Sequence, residues 1–97
     1  MIAYAMLKGA RLGVLSQEYA ILGKKTFDGI LRRYFKAEGA DVELGGICLV
    51  AGLGPADNPR RDGSYEYYIS EPIVKNDAKG VAPLVMCYTE VIRSRPA

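Results

Sequence analysis

In "TFDGILRRYFKAEG" the apolar residues Phe27, Ile30, Leu31, Tyr34 and Phe35 recur at helical spacing and make one stripe. Arg32, Arg33 and Lys36 fall mostly on the opposite side. With the turns of "SQEYAILGKK" running into it, this pattern predicts one main helix over about 17–38. Thr26 is placed to cap the apolar run, and Asp28 faces the positive end of the dipole. Gly39 suits a left-handed stop. Gly23 reads as a break or kink. Gly29, which costs about 1 kcal/mol against alanine in a helix, points to a close packing contact.

Around this helix the pattern reads as strands. "IAYAML" suits a short strand near 2–7, since Gly9 and Gly13 argue against one long helix. Over 41–53, Val42 and Leu44 alternate with Asp41 and Glu43, then the chain is continuously apolar from Ile47 to Leu53; Gly45-Gly46 suggests a bulge. "GPADNPRRDG" is a loop. A tyrosine-rich strand follows over 64–74, then a turn at 76–80 and a long strand over 81–93, with Pro83 near its start. Antiparallel pairing is the economical arrangement. The expected fold is a single α+β domain over 1–97, with one helix on a three- to four-stranded antiparallel sheet.

Such a sheet, covered on one face, should alternate apolar with polar. Residues 47–50 and 81–87 are apolar on both faces, and one helix cannot shield both. A second copy of the chain is the expected cover, giving a homodimer. The alternative cover is the segment 1–22.

Composition narrows the chemistry. The chain has 97 residues, 49% hydrophobic and 25% charged, as an ordinary folded domain has. Thirteen basic and eleven acidic residues leave a net charge of +2, too balanced to argue for nucleic acid. Histidine is absent, which removes the commonest general base and metal ligand. Neither a metal nor a cofactor is expected. Cys48 and Cys87 sit in apolar runs and read as buried free thiols. No leader or membrane span is evident, so a cytoplasmic protein is the default.

The loudest chemistry is in "NPRRDGSYEYYIS". As a strand it would place Tyr65, Tyr67 and Ile69 on one face and Glu66, Tyr68 and Ser70 on the other. The candidate ligand-binding residues are Tyr65, Tyr67, Tyr68, Met86, Tyr88 and Arg61, since tyrosine joins an apolar body to a hydroxyl. "LVAG", within a strand–helix–strands order, is similar in shape to the first-hairpin stretch of the cystatins, over those few residues only. The leading expectation is a self-associating, non-enzymatic binding protein. A groove between helix and sheet would take a small apolar or amphipathic ligand or a protein partner. One alternative is a nucleic-acid-binding module using Arg60, Arg61 and the basic helix face, with Asp57 and Asp62 counting against it. Another is a small histidine-free enzyme using Glu66 or Glu90 with a tyrosine.

Overall fold

The computed structural model describes residues 1–94. Its helices are α1 (Ile2–Arg11), α2 (Glu18–Tyr34), α3 (Tyr65–Ser70) and α4 (Ala78–Arg93), and its strands β1 (Phe35–Glu38), β2 (Asp41–Leu44), β3 (Ile47–Cys48) and β4 (Ile73–Val74). The α+β class holds, but helices dominate. The β-structure is two separate antiparallel ribbons, β1–β2 and β3–β4, in place of one sheet.

Three of the expected strands are corrected. Residues 2–7 are helical because Ala3, Leu7 and Ala10 repeat at intervals of four and three and are the buried residues of α1. Residues 81–93 belong to α4. Their buried positions Cys87, Glu90 and Val91, with Leu84 packed one turn earlier, follow a helical period. The β-branched residues of that stretch and Pro83 in its second turn pointed the other way. The Asp77 side chain accepts a hydrogen bond from the Lys79 amide and caps the start. Residues 64–74 divide into α3 and the two-residue β4. The expected 41–53 strand survives only as β2 and β3; residues 49–63 are loop, so the likeness to the cystatin hairpin fails there.

None of Gly23, Gly29 and Gly39 bounds α2. Gly23 leaves α2 unbroken and is buried; a Cβ there would lie 2.8 Å from Leu7 Cγ and 3.2 Å from the Ala3 carbonyl oxygen. Close approach of α1 is what this glycine permits, and no such contact exists at Gly29. Thr26 is interior to α2, its hydroxyl donating to the Leu22 carbonyl. Gly39 has the expected positive φ of 59°, but at the turn of the β1–β2 hairpin, where Glu38 pairs with Asp41; α2 has already ended at Tyr34.

The core joins α1, α2 and α4 through Ala3, Leu7, Phe27, Cys87 and Val91. It is reinforced by Arg11 of α1, which donates through Nε and Nη2 to both oxygens of the buried Glu90 on α4 at 2.7 and 2.9 Å. The molecule is a slab, 54 × 38 × 17 Å, little more than one helix thick. Ile2, Ile21, Val85 and Ile92 therefore stay exposed. The two-faced sheet that called for a second copy as its cover does not form. Among the described residues, no helix is long and apolar enough to cross a membrane.

Candidate functional site

The stretch 49–72 folds as a loop that returns onto a short helix, with Arg61 half-buried between them and Arg60 exposed. Asp62 accepts from the Ser64 amide, and Ser64 Oγ accepts from the Tyr67 amide. These two acceptors start α3 directly after the loop. A six-residue helix turns its side chains by about 100° per residue, so the alternation expected of a strand is lost. Tyr67 is buried, while Tyr65, Tyr68 and Ile69 share an exposed face.

Tyr67 is the centre of an ionic cluster. Arg61 Nε donates to the Tyr67 hydroxyl at 3.0 Å and to the Gly52 carbonyl at 3.1 Å. Arg60 lies over the Tyr67 ring, 5.4 Å from its centroid, and donates to Glu71 at 2.8 Å. The Tyr67 hydroxyl and the Arg60 guanidinium hold the Glu71 carboxyl below its usual range, the hydroxyl having the larger influence and burial opposing both. The side chain of Glu71 is only 6% exposed.

Of the residues singled out from the sequence, Tyr65, Tyr67, Tyr68 and Arg61 are gathered in this region. Tyr67 and Arg61 serve as its framework, while Tyr65 and Tyr68 are its outward surface. Met86 and Tyr88 are on α4, with the Tyr88 ring stacked against Phe27 of α2 at 6.3 Å. An apolar groove of about 430 Å³ lies elsewhere, between α2, β3 and α4, lined by Ile30, Tyr34, Ile47, Pro83 and both cysteines. None of the six candidates lines it. Cys48 is exposed and Cys87 buried, and both are free thiols.

Sequence reasoning passed over Ser70 as a partner of Arg60 and over Asp62 and Ser64 as helix caps. The signal was present: an Asp and a Ser just before an apolar run mark a helix start. Arg60 and Arg61, the leading cations of the nucleic-acid alternative, are hydrogen-bonded to Glu71, Tyr67 and Gly52.

Glu90 is buried and Glu71 half-buried, and both are ion-paired. Glu90, held by Arg11 with Arg93 nearby, is pushed below its ordinary value, chiefly by the Arg11 hydrogen bonds. Neither Glu71 nor Glu90 is tuned as a general acid, which requires a raised pKa. Glu66 is exposed on α3 beside the tyrosines. Among the described residues no three His, Cys, Asp or Glu side chains gather as a metal site.

Residues 1–95 match the family described as Glycosyl Hydrolase Family 88. Protein Atu3128 of Agrobacterium fabrum is 44% identical over 95 residues, covering 93% of this chain and 41% of that relative. The 24.9 kDa protein in the picA locus of Rhizobium radiobacter matches to the same extent. Among solved structures, a glycoside hydrolase from family 105 of C. acetobutylicum superposes with a TM-score of 0.84 at 40% identity, over 94% of this chain and 25% of that one. The chain thus spans well under half the length of these relatives. The family match overturns the non-enzymatic ligand-binding function expected from the sequence.

Proposed function

Because the chain belongs to glycosyl hydrolase family 88, we propose that it serves the hydrolysis of a glycosidic bond by holding saccharide against the exposed face of α3. Acid and base would come from carboxylates outside residues 1–94. One observation carries this division: Glu71 and Glu90, whose side chains are the best shielded of the ion-paired carboxylates, are both neutralised by arginines. Most glycoside hydrolases use a pair of carboxyl groups flanking the scissile bond, one of them protonated at working pH. Glu71 and Glu90 have their charged forms stabilised, the opposite of what a proton donor needs.

The tyrosine face suits the other task. A sugar ring has an apolar C–H face and a rim of hydroxyls, and tyrosine offers a flat apolar ring with a hydroxyl at its tip. Tyr65 and Tyr68, three residues apart on one helical face, are 72% and 58% exposed. Two large aromatic side chains left in water on a tightly bonded loop are candidates for a contact made outside this slab. The free thiols Cys48 and Cys87 support a cytoplasmic setting as part of the same proposal.

The test is a chimera in which residues 1–94 replace the matched quarter of the clostridial family 105 enzyme. It should hydrolyse the oligosaccharide on which the parent enzyme is assayed, whereas the 97-residue chain alone should not. A folded but inactive chimera would refute the reading. A specific alternative is Glu66, adjacent to the exposed tyrosines, as one of the two carboxylates. Glu66→Gln in the chimera should then cost more than about a thousandfold in kcat; a change of a few fold leaves the carboxylates elsewhere.

A further inference from the structure

Leu53 is 76% exposed at the apex of the 49–63 loop, between Gly52 and Gly54. Both flanking glycines are held by the same residue. The Gly54 amide donates to the Arg61 carbonyl at 2.9 Å, and Arg61 Nε donates to the Gly52 carbonyl. Among the described residues these are the hydrogen bonds that join residues 50–57 to the chain from residue 60 onward. The fit is tight: a Cβ on Gly54 would lie 2.7 Å from Arg61 Cβ. A Cβ on Gly63 would lie 3.2 Å from Leu53 Cδ1, so the leucine is seated against the turn that leads into α3.

From this we infer that Arg61 is a positioning residue, which sets Leu53 beside the exposed tyrosines as one saccharide-contacting surface. The inference rests on the saccharide reading above. The same Nε–H is shared between the Gly52 carbonyl and the Tyr67 hydroxyl, a three-centre bond that ties the loop apex and α3 to one atom. Tyr67 is itself fixed, buried under the Arg60 guanidinium. The spacing between Leu53 and the face carrying Tyr65 and Tyr68 is therefore governed by a planar, permanently charged group with a fixed fork geometry. Leu53 stays exposed although both of its neighbours are held, and it lies against the turn leading into the helix whose tyrosines are proposed to hold saccharide. Arg61 does not itself contact the sugar in this arrangement.

Two measurements on two proteins test the inference. In the 97-residue chain, the nuclear Overhauser contact between the Leu53 methyls and the Gly63 α-protons should be present and should vanish in Arg61→Lys, with the thermal midpoint unchanged. Lysine keeps the charge and loses the fork. In the family 105 chimera, assayed on the parent enzyme's oligosaccharide, Arg61→Lys should raise KM about tenfold with kcat within about twofold. Tyr67→Phe keeps the Gly52 bond and should raise KM by less. Persistence of the Leu53–Gly63 contact with an unchanged KM would overturn the inference. So would a joint fall of kcat and melting temperature, which marks a merely structural residue. Should the unsubstituted chimera be inactive, it is the saccharide reading that fails; the Leu53–Gly63 contact still decides whether Arg61 sets the loop.

Discussion

The three-helix layer and the 49–72 loop are held together by different physics. In the layer, α1, α2 and α4 meet through apolar stripes, one glycine contact and one buried ion pair. In the loop, few side chains are buried, and hydrogen bonds converge on Arg61, Tyr67 and Glu71. Area-driven packing resists unfolding but fixes no single atom. Charge-assisted bonds add little net stability at a half-exposed site, yet they set positions closely. The layer therefore carries the chain's stability, and the loop carries its geometry.

The strongest way to break this contrast is to empty the layer. Phe27, 4% exposed, packs at the junction of the helices. Phe27→Ala should cost about 3–4 kcal/mol in urea-induced unfolding, the usual loss for an aromatic core truncation. No single loop substitution should approach that. If Tyr67→Phe or Arg61→Lys destabilised the chain as much, the division between layer and loop would be wrong.

Next in size is Gly23, where α1 and α2 touch. Gly23→Leu should cost about 2–3 kcal/mol by overpacking against Leu7 and the Ala3 carbonyl. Gly29→Leu, with only the Arg32 guanidinium at 3.9 Å, should be neutral or slightly stabilising through helix propensity. The pair of variants separates a glycine needed for approach from one that is not.

Acid sharpens the contrast further. The Glu90 carboxyl is held below its ordinary value of 4.5 by Arg11. Its contribution is complete above that value and is lost as the pH falls through the lower folded one. Thermal midpoints followed from pH 7 down to about 3 should fall in the acid limb, and Glu90→Gln should flatten part of that fall while lowering the midpoint at pH 7 by several degrees. A limb unchanged in Glu90→Gln would mean that the α1–α4 ion pair contributes nothing to the layer.

The layer was also the more legible region. The stripe of α2 gave its helix with an overshoot of just over a turn at the C-terminal end, because Phe27, Ile30, Leu31 and Tyr34 admit one period only. The stripes of α1 and α4 are just as regular in the structure. They were hidden by residues whose local preference runs the other way: Gly9, whose lack of a side chain lets Leu15 pack on α1, and Pro83 among valines and a threonine in α4. Read at intervals of three and four, Leu84, Cys87 and Val91 would have identified α4. The loop was legible in composition and illegible in arrangement. Arg61 and the tyrosines stood out, but their inward or outward direction depends on whether residues 65–70 coil or extend. Capping by Asp62 and Ser64 decided that, against the β-preference of three tyrosines. The pairing of the buried Glu90 was not legible, because no sequence pattern announces a partner nearly eighty residues away, as Arg11 is.

The smallest expected effect is the most discriminating. Tyr65→Ala and Tyr68→Ala, singly or together, should leave the unfolding free energy within about 0.5 kcal/mol of the parent, as exposed substitutions do. Phe27 and Tyr65 are both large aromatic residues on helices, and they differ in what surrounds them. One is enclosed by α1, α2 and α4, while the other has most of its ring in water. A loss above about 1 kcal/mol on removing Tyr65 and Tyr68 would show that the rings pack onto the slab in solution. They could not then offer a free face to a saccharide, and the loop would be reduced to a brace for the helices. Unchanged stability, combined with a raised KM in the family 105 chimera, would assign the two tyrosines to substrate and leave the layer as their support.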